Sequence, residues 1–288
     1  MRRFVLLTTG SLAAIVILAY AHAPGTLRFA VFGDRTGEAL PGVYEECWKE
    51  AAAQDPEFVL TAGDTIEGGD DGAAAGEWEN VARVFRAYGR IPLYLVPGNH
   101  DVWSRSSEEL YRKYSGRPLH YGFDRGPVHF TVLDNSRTED LPESELAFLR
   151  EDLRAHAAQP VKIVLSHRPS WLLRLAVGDT QFPLHRIAKE YGVTCVLAGH
   201  LHQLVHGELE GVAYISVPSS GGHLRLSRRY EDGWFFGYTL VEVRQHTVTF
   251  GIRELEAPHG QGRTSVLDDW GLAGLRAGKA PAPTRPLR

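Results

Sequence analysis

Five short apolar runs along this chain each end in a glycine or serine followed by a carboxylate, an amide or an imidazole. Residues 29–32 lead to Gly33-Asp34, residues 58–62 to Gly63-Asp64, and residues 93–97 to Gly98-Asn99-His100-Asp101. Residues 161–165 lead through Ser166 to His167, and residues 194–198 to Gly199-His200-Leu201-His202. Runs this short, rich in β-branched and aromatic residues, predict buried strands. Helical spacing appears between them. It predicts helices over 43–53, over 74–88 with Trp78, Val81, Ala82, Phe85 and Tyr88 inward, and over 184–191. Leu141-Pro142-Glu143-Ser144 reads as a helix start, continuing to His156 with Leu146, Leu149 and Leu153 on the apolar face. Segments 128–134, 212–217, 234–242 and 244–252 predict further strands, the last two as a hairpin. This alternation is an α/β pattern. In open α/β sheets the ligand site lies beyond the carboxyl ends of the strands, so the polar residues that end the runs gather on one rim.

Composition narrows the picture. A chain of 288 residues that is 43% hydrophobic can bury one large core. The 31 basic residues are scattered and the net charge is −4, which argues against a nucleic-acid-binding surface. Arg225, Arg228 and Arg229 read as a solvated loop. Residues 1–23 have the layout of an export signal: Arg2 and Arg3, an apolar stretch over 4–20, then Ala21-His22-Ala23 as a cleavage site. The rival is an uncleaved anchor, for which the apolar stretch is near the short limit, and this is the chain's one route to a membrane. The expected domain is 24–255. Residues 256–288 turn polar and Pro-rich and predict a partly disordered extension. Cys47 and Cys195 are too few for a disulfide framework and read as buried thiols.

Asp, Asn and His recurring at strand ends are the donor types of a divalent-metal site. Gly63-Asp64, Gly98-Asn99-His100-Asp101, His167 and Gly199-His200-Leu201-His202, in that order, resemble the motifs of the calcineurin-like metallophosphoesterase superfamily. The resemblance spans residues 28 to 206. It implies a four-layer α-β-β-α sandwich of two facing mixed sheets, with the site at the strand C-terminal rim. It also implies two divalent metal ions (Mn, Fe or Zn), about 3.5–4 Å apart, that share an activated water. Asp64 would bridge them, with Asp34 and His202 on the first and Asn99, His167 and His200 on the second. His100 would be the general acid for the leaving oxygen and Asp101 its support. The substrate would be a small phosphoester.

One departure stands out. The family's first motif is Asp-x-His, but here Thr36 follows Asp34-Arg35 where the histidine would be. The purple acid phosphatase branch also lacks that histidine and uses a tyrosine three residues after the bridging aspartate. That place is Glu67 here, so Glu67 is expected to complete the first metal's shell. The alternative is a degenerate, one-metal or binding-only member of the fold. Arg35 and Arg168, each beside a ligand, could steady a phosphate oxygen or make surface salt bridges. Residues 171–177 form either a helix packed on the core or an apolar wall for the substrate alcohol. The stretch 67–72 is expected to border the site, and Trp103 could stack on a ring or be structural. His223, behind Gly221-Gly222, could return to the rim. The other histidines carry no ligand spacing.

Overall fold

The computed structural model describes residues 25–270. The stretch expected to be an export signal and the end of the expected C-terminal extension lie outside these residues. Among the described residues no helix is long and apolar enough to cross a membrane. Strands and helices follow the chain as β1 (Thr26–Phe32), α1 (Val43–Ala53), β2 (Phe58–Thr61), α2 (Asp71–Ala87), β3 (Leu93–Tyr94), α3 (Arg105–Ser115), β4 (Tyr121–Arg125) and β5 (Val128–Val132). They continue with α4 (Glu143–Ala155), β6 (Val161–Leu165), α5 (Leu172–Val177), α6 (Pro183–Tyr191) and β7 (Cys195–Ala198). β8 (Val205–Leu209), β9 (Val212–Ser216), β10 (Gly237–Arg244), β11 (Thr247–Glu254) and β12 (Thr264–Val266) complete the series.

The strands form two mixed six-stranded sheets, ordered β12-β11-β10-β1-β2-β3 and β4-β5-β6-β7-β9-β8. Alternation along the central strands sends one set of side chains between the sheets and the other outward. Leu27, Phe29 and Val31 of β1 belong to the inter-sheet core, while Ala30 and Phe32 face α1 and α2. In that core Phe29 stacks on Phe58 at 4.8 Å, and Phe130 meets both rings edge-on. Burying each phenyl group fully is worth about 1.5–3 kcal/mol. Leu149, Val164, Leu175, Ile187, Val196 and Tyr214 join α4, α5 and α6 to the second sheet. The result is the expected four-layer sandwich. Cys47 and Cys195 are free, buried thiols.

Differences from the sequence expectation have local causes. α2 starts at Asp71, three residues early, because the Asp70 carboxylate caps it by accepting from the Gly72 amide at 2.8 Å. The hairpin is displaced: Arg244 pairs with Thr247, so the turn is Gln245-His246. The apolar residues ahead of β10 suggested strand, but Phe235 fills the inter-sheet core from a loop. The domain also does not stop at residue 255. β12 pairs with β11, and Trp270 is buried in the inter-sheet core.

Candidate metal centre

β1, β2, β6 and β7, together with the stretch after β3, deliver their polar ends to one rim, as the sheet order requires. Asp34 and Asp64 are both buried. Each carboxylate accepts a backbone amide from another rim loop: Asp34 from His200 at 2.9 Å, Asp64 from His100 at 2.8 Å. Two clusters of ligand atoms result, Asp64–His167–His200 and Asp34–Asp64–His202, and Asp64 belongs to both. The Asn99 Oδ1 joins the first cluster, 3.0 Å from His167 Nε2.

For His167 and His202, a hydrogen bond on the far side of the ring aims the other nitrogen inward. His167 Nδ1 donates to the Ala62 carbonyl at 2.8 Å, leaving Nε2 3.2 Å from Asp64 Oδ2. His202 Nδ1 donates to the His223 carbonyl at 2.6 Å, leaving Nε2 3.4 Å from Asp34 Oδ1. That buried Nε2 has no hydrogen-bond partner, an unusual state for a buried polar atom. It fits a lone pair directed at a cation. His200 Nδ1 lies 3.2 Å from His167 Nε2, two ring nitrogens facing one point. Asp64, His200 and His202 also have left-handed backbones, with φ of 55°, 69° and 54°. Such geometry in non-glycine residues costs free energy and clusters at functional sites.

The electrostatics agree. Burial lowers the proton affinity of His167, but the Asp64 carboxylate overcomes this and raises its pKa to about 9. Burial also opposes ionisation of Asp64, yet His167 and His100 pull its pKa well below the usual carboxylate range. His200, by contrast, is held down at about 4 by burial and then by the charge on His167, so its ring is neutral and able to ligate at neutral pH. The donor set suits two divalent ions sharing Asp64.

The other expected site residues are placed differently. Thr36 is buried and its hydroxyl donates to the Asp64 carbonyl at 3.0 Å. Glu67 joins neither ligand cluster. Its carboxylate accepts the amides of Gly37, Glu38 and Ala39 at 3.1, 3.2 and 3.0 Å, which makes it the anchor of that loop. His100 reaches the rim with Nε2 4.0 Å from Asp64 Oδ2. Its Nδ1 is held by the Glu67 carbonyl and not by Asp101. Asp101 instead ties two rim loops together, accepting from Thr65 at 2.7 Å, Ile66 at 3.2 Å and Gly98 at 3.0 Å. Burial, then the nearby Asp64 charge, raises its pKa to about 7.

Arg35 donates to the Thr65 carbonyl at 3.2 Å and lies over the Tyr44 ring, so it braces the loop. Arg168 stands at the rim, paired with Glu139. The His223 side chain is more than half exposed, while its carbonyl orients His202. The Ser219–Gly222 loop does return to the rim, but its backbone and not the His223 side chain makes the contact. Its Ser220 and Gly222 amides donate to the Asp34 carbonyl at 3.1 and 3.0 Å. A methyl group on Gly222 would collide with the Thr36 carbonyl and the His202 ring. The small-residue run Ser219-Ser220-Gly221-Gly222 was the available signal for that close approach.

Two facing sheets with carboxylate, amide and imidazole donors at a shared rim define a metallophosphoesterase-type sandwich. The chain belongs to the calcineurin-like phosphoesterase family, whose profile matches residues 27–204. It is 26% identical to tartrate-resistant acid phosphatase type 5 of Rattus norvegicus, over 81% of this chain and 89% of that protein. It is 28% identical to a 3',5'-cyclic-nucleotide phosphodiesterase of Nostoc sp., over 57% of this chain and 62% of that one. Among solved structures, a purple acid phosphatase from yellow lupin superposes with a TM-score of 0.63 at 16% identity, covering 84% of this chain and 53% of its own. The chain spans about a third of the length of the Arabidopsis thaliana purple acid phosphatases 15 and 23 that it also matches, 32% and 37% respectively. Its family is one of phosphatases and phosphodiesterases.

Proposed function

We propose that this chain hydrolyses a phosphate mono- or diester at a centre of two divalent ions. Asp34, Asp64 and His202 would hold one, and Asp64, Asn99, His167 and His200 the other. The observation that carries this is the convergence of ring nitrogens and carboxylates, above all the buried Nε2 of His202, which faces Asp34 without a hydrogen bond. Bound divalent ions would supply Lewis acidity towards the phosphoryl oxygens and lower the pKa of an attacking water. The remaining work falls to the chain. Asn99 contributes an oxygen without negative charge, which limits repulsion of an anionic ester. His100, with Nδ1 committed to the Glu67 carbonyl, presents Nε2 to the rim, where it can give its proton to the leaving oxygen. Asp101 keeps its place in the mechanism as a positioning residue: it fixes the loop that carries Asn99 and His100. The basic, apolar and Ala-His-Ala sequence of residues 1–23 supports action outside the cytoplasm. Mn, Fe and Zn all suit these donors.

A one-metal centre or a binding-only role is the second reading. It is favoured by Thr36 and Glu67, which both bond to backbone and leave the first ion three protein donors. Elemental mass spectrometry of the purified chain, run beside hydrolysis of p-nitrophenyl phosphate and bis-p-nitrophenyl phosphate, separates the two. About two metals per chain with metal-dependent turnover is expected. One metal with turnover would support the one-metal centre. No metal after reconstitution and no turnover would support the binding role. His100→Ala should lower kcat on esters with poor leaving groups by about 100-fold while metal content stays unchanged. Metal lost in parallel would remove His100 from the role of acid.

A further inference from the structure

Beside the metal centre lies a cavity of ≈ 680 Å³, within the range of about 300–1,000 Å³ for small-molecule sites. It begins at His200 and Leu201, so it is continuous with the centre: His200 Nδ1 is 3.2 Å from His167 Nε2. The far wall is α5. This helix is apolar on two opposite faces. Trp171 and Leu175, one turn apart, are buried in the core, 0% and 3% exposed. Leu173 and Val177, also one turn apart, line the cavity and are 73% and 79% exposed. One face of this stretch thus packs on the core, and the other turns apolar side chains to the cavity. The two arginines at the cavity each have an acidic neighbour: Arg168 pairs with Glu139, and Arg174 with Asp179 at 3.4 Å. Asp140 adds another acid to the lining. The walls thus offer mainly apolar surface, with each arginine beside an acid and Asp140 adding negative charge that disfavours a second phosphate.

We infer that this cavity receives an uncharged, apolar alcohol portion of the substrate, with the phosphate lying at His200 and the metal donors. This rests on the hydrolase reading above and names its substrate class. Apolar contact along α5 would be gained without any change at the phosphorus.

The test uses the metal-loaded full chain with phenyl phosphate and 4-butylphenyl phosphate, whose leaving groups have nearly equal acidity. If the chain prefers diesters, the corresponding methyl diesters are used. Binding of phenylphosphonate and 4-butylphenylphosphonate is measured in parallel by calorimetry. The butyl compound is expected to bind more tightly and to be cleaved with a kcat/KM higher by about tenfold or more. That advantage should vanish in Leu173→Asp and, independently, in Val177→Asp. Both positions are too exposed for the change to threaten folding. Equal binding and equal turnover of the two compounds would overturn the inference and leave the hydrolase standing. Selective binding with no turnover of either ester would overturn the hydrolase reading and, with it, the leaving-group role of the cavity.

Discussion

Glu67 shows how one residue can organise a site without touching a ligand cluster. Its carboxylate anchors the Gly37–Ala39 amides, and its carbonyl holds His100. A carboxylate bound by several amides is worth about 1–3 kcal/mol, so Glu67→Ala should lower the unfolding midpoint by a few degrees at unchanged metal stoichiometry. A loss of metal in that variant would return Glu67 to the shell. His129, away from the rim, makes a different kind of commitment. It is fully buried, and its two nitrogens face Asp124 at 2.7 Å and Asp152 at 2.8 Å. Burial pushes its pKa down, but Asp152 and Asp124 more than offset this and the net shift is upward. Burial likewise opposes ionisation of Asp152, yet bonds from His129 and Thr131 bring its pKa below the usual value. The histidine's contribution to stability is therefore full below about pH 6.5 and lost as pH rises through its folded value. The aspartate's is full above about pH 4 and lost as pH falls through its folded value. His129→Gln should cost about 1.5–3 kcal/mol at about pH 5.5, and the gap to the wild type should narrow by about pH 8.5. Denaturant titrations at both pH values check this. A constant gap would mean that the ring is not charged in the native state.

At the scale of elements, the strand-end motifs were legible because all but Ser166-His167 join a donor to a glycine with a steric task. Gly63 has φ of 99°, and a methyl group there would run into the His167 ring. One on Gly98 would strike the Asp64 amide and carboxylate. Gly98→Ala should therefore weaken metal binding by about tenfold or more, as loss of outer support does, with an unchanged far-UV circular dichroism spectrum. Retained metal affinity would show that the loops can separate without disturbing Asp64. What stayed hidden from sequence was carried by backbone or by polar elements. The carbonyls of Ala62, Glu67 and His223 orient three histidines, and any residue type supplies a carbonyl. α3 buries Ser107 and Tyr111 fully and Leu110 and Tyr114 in part, so its apolar face is narrow and set in a mostly polar sequence. Its signals were the Ser104–Ser107 capping box and Gly116 at the C-terminus. β4 and β8 are edge strands with one exposed face, and neither forms an apolar run.

At the scale of the whole molecule, the metal centre depends on chain that lies beyond its own motifs. The last candidate ligand is His202, yet β10 pairs with β1 along its full length and makes it a central strand. The loop leading to β10 fixes the Asp34 carbonyl. β11 and β12 extend that sheet, and Trp270 then closes the core against Phe235 and Tyr230, with its indole N–H donating to Ser265 at 2.7 Å. The sequence after residue 255 looked like an extension because its composition is polar. Its structural contribution rests on a few residues, among them Leu267 and Trp270, both buried. Trp270→Ala should then act on the whole domain and not on a tail. Emptying a buried tryptophan site costs about 3–5 kcal/mol, which at this size corresponds to a midpoint lower by about 6–15 °C. Thermal unfolding should remain a single transition, because β10 couples the C-terminal strands to β1 and so to Asp34. A midpoint equal to that of the wild type, with only local loss of protection from hydrogen exchange around β12, would show that the C-terminal strand lies outside the cooperative unit that holds the metal centre.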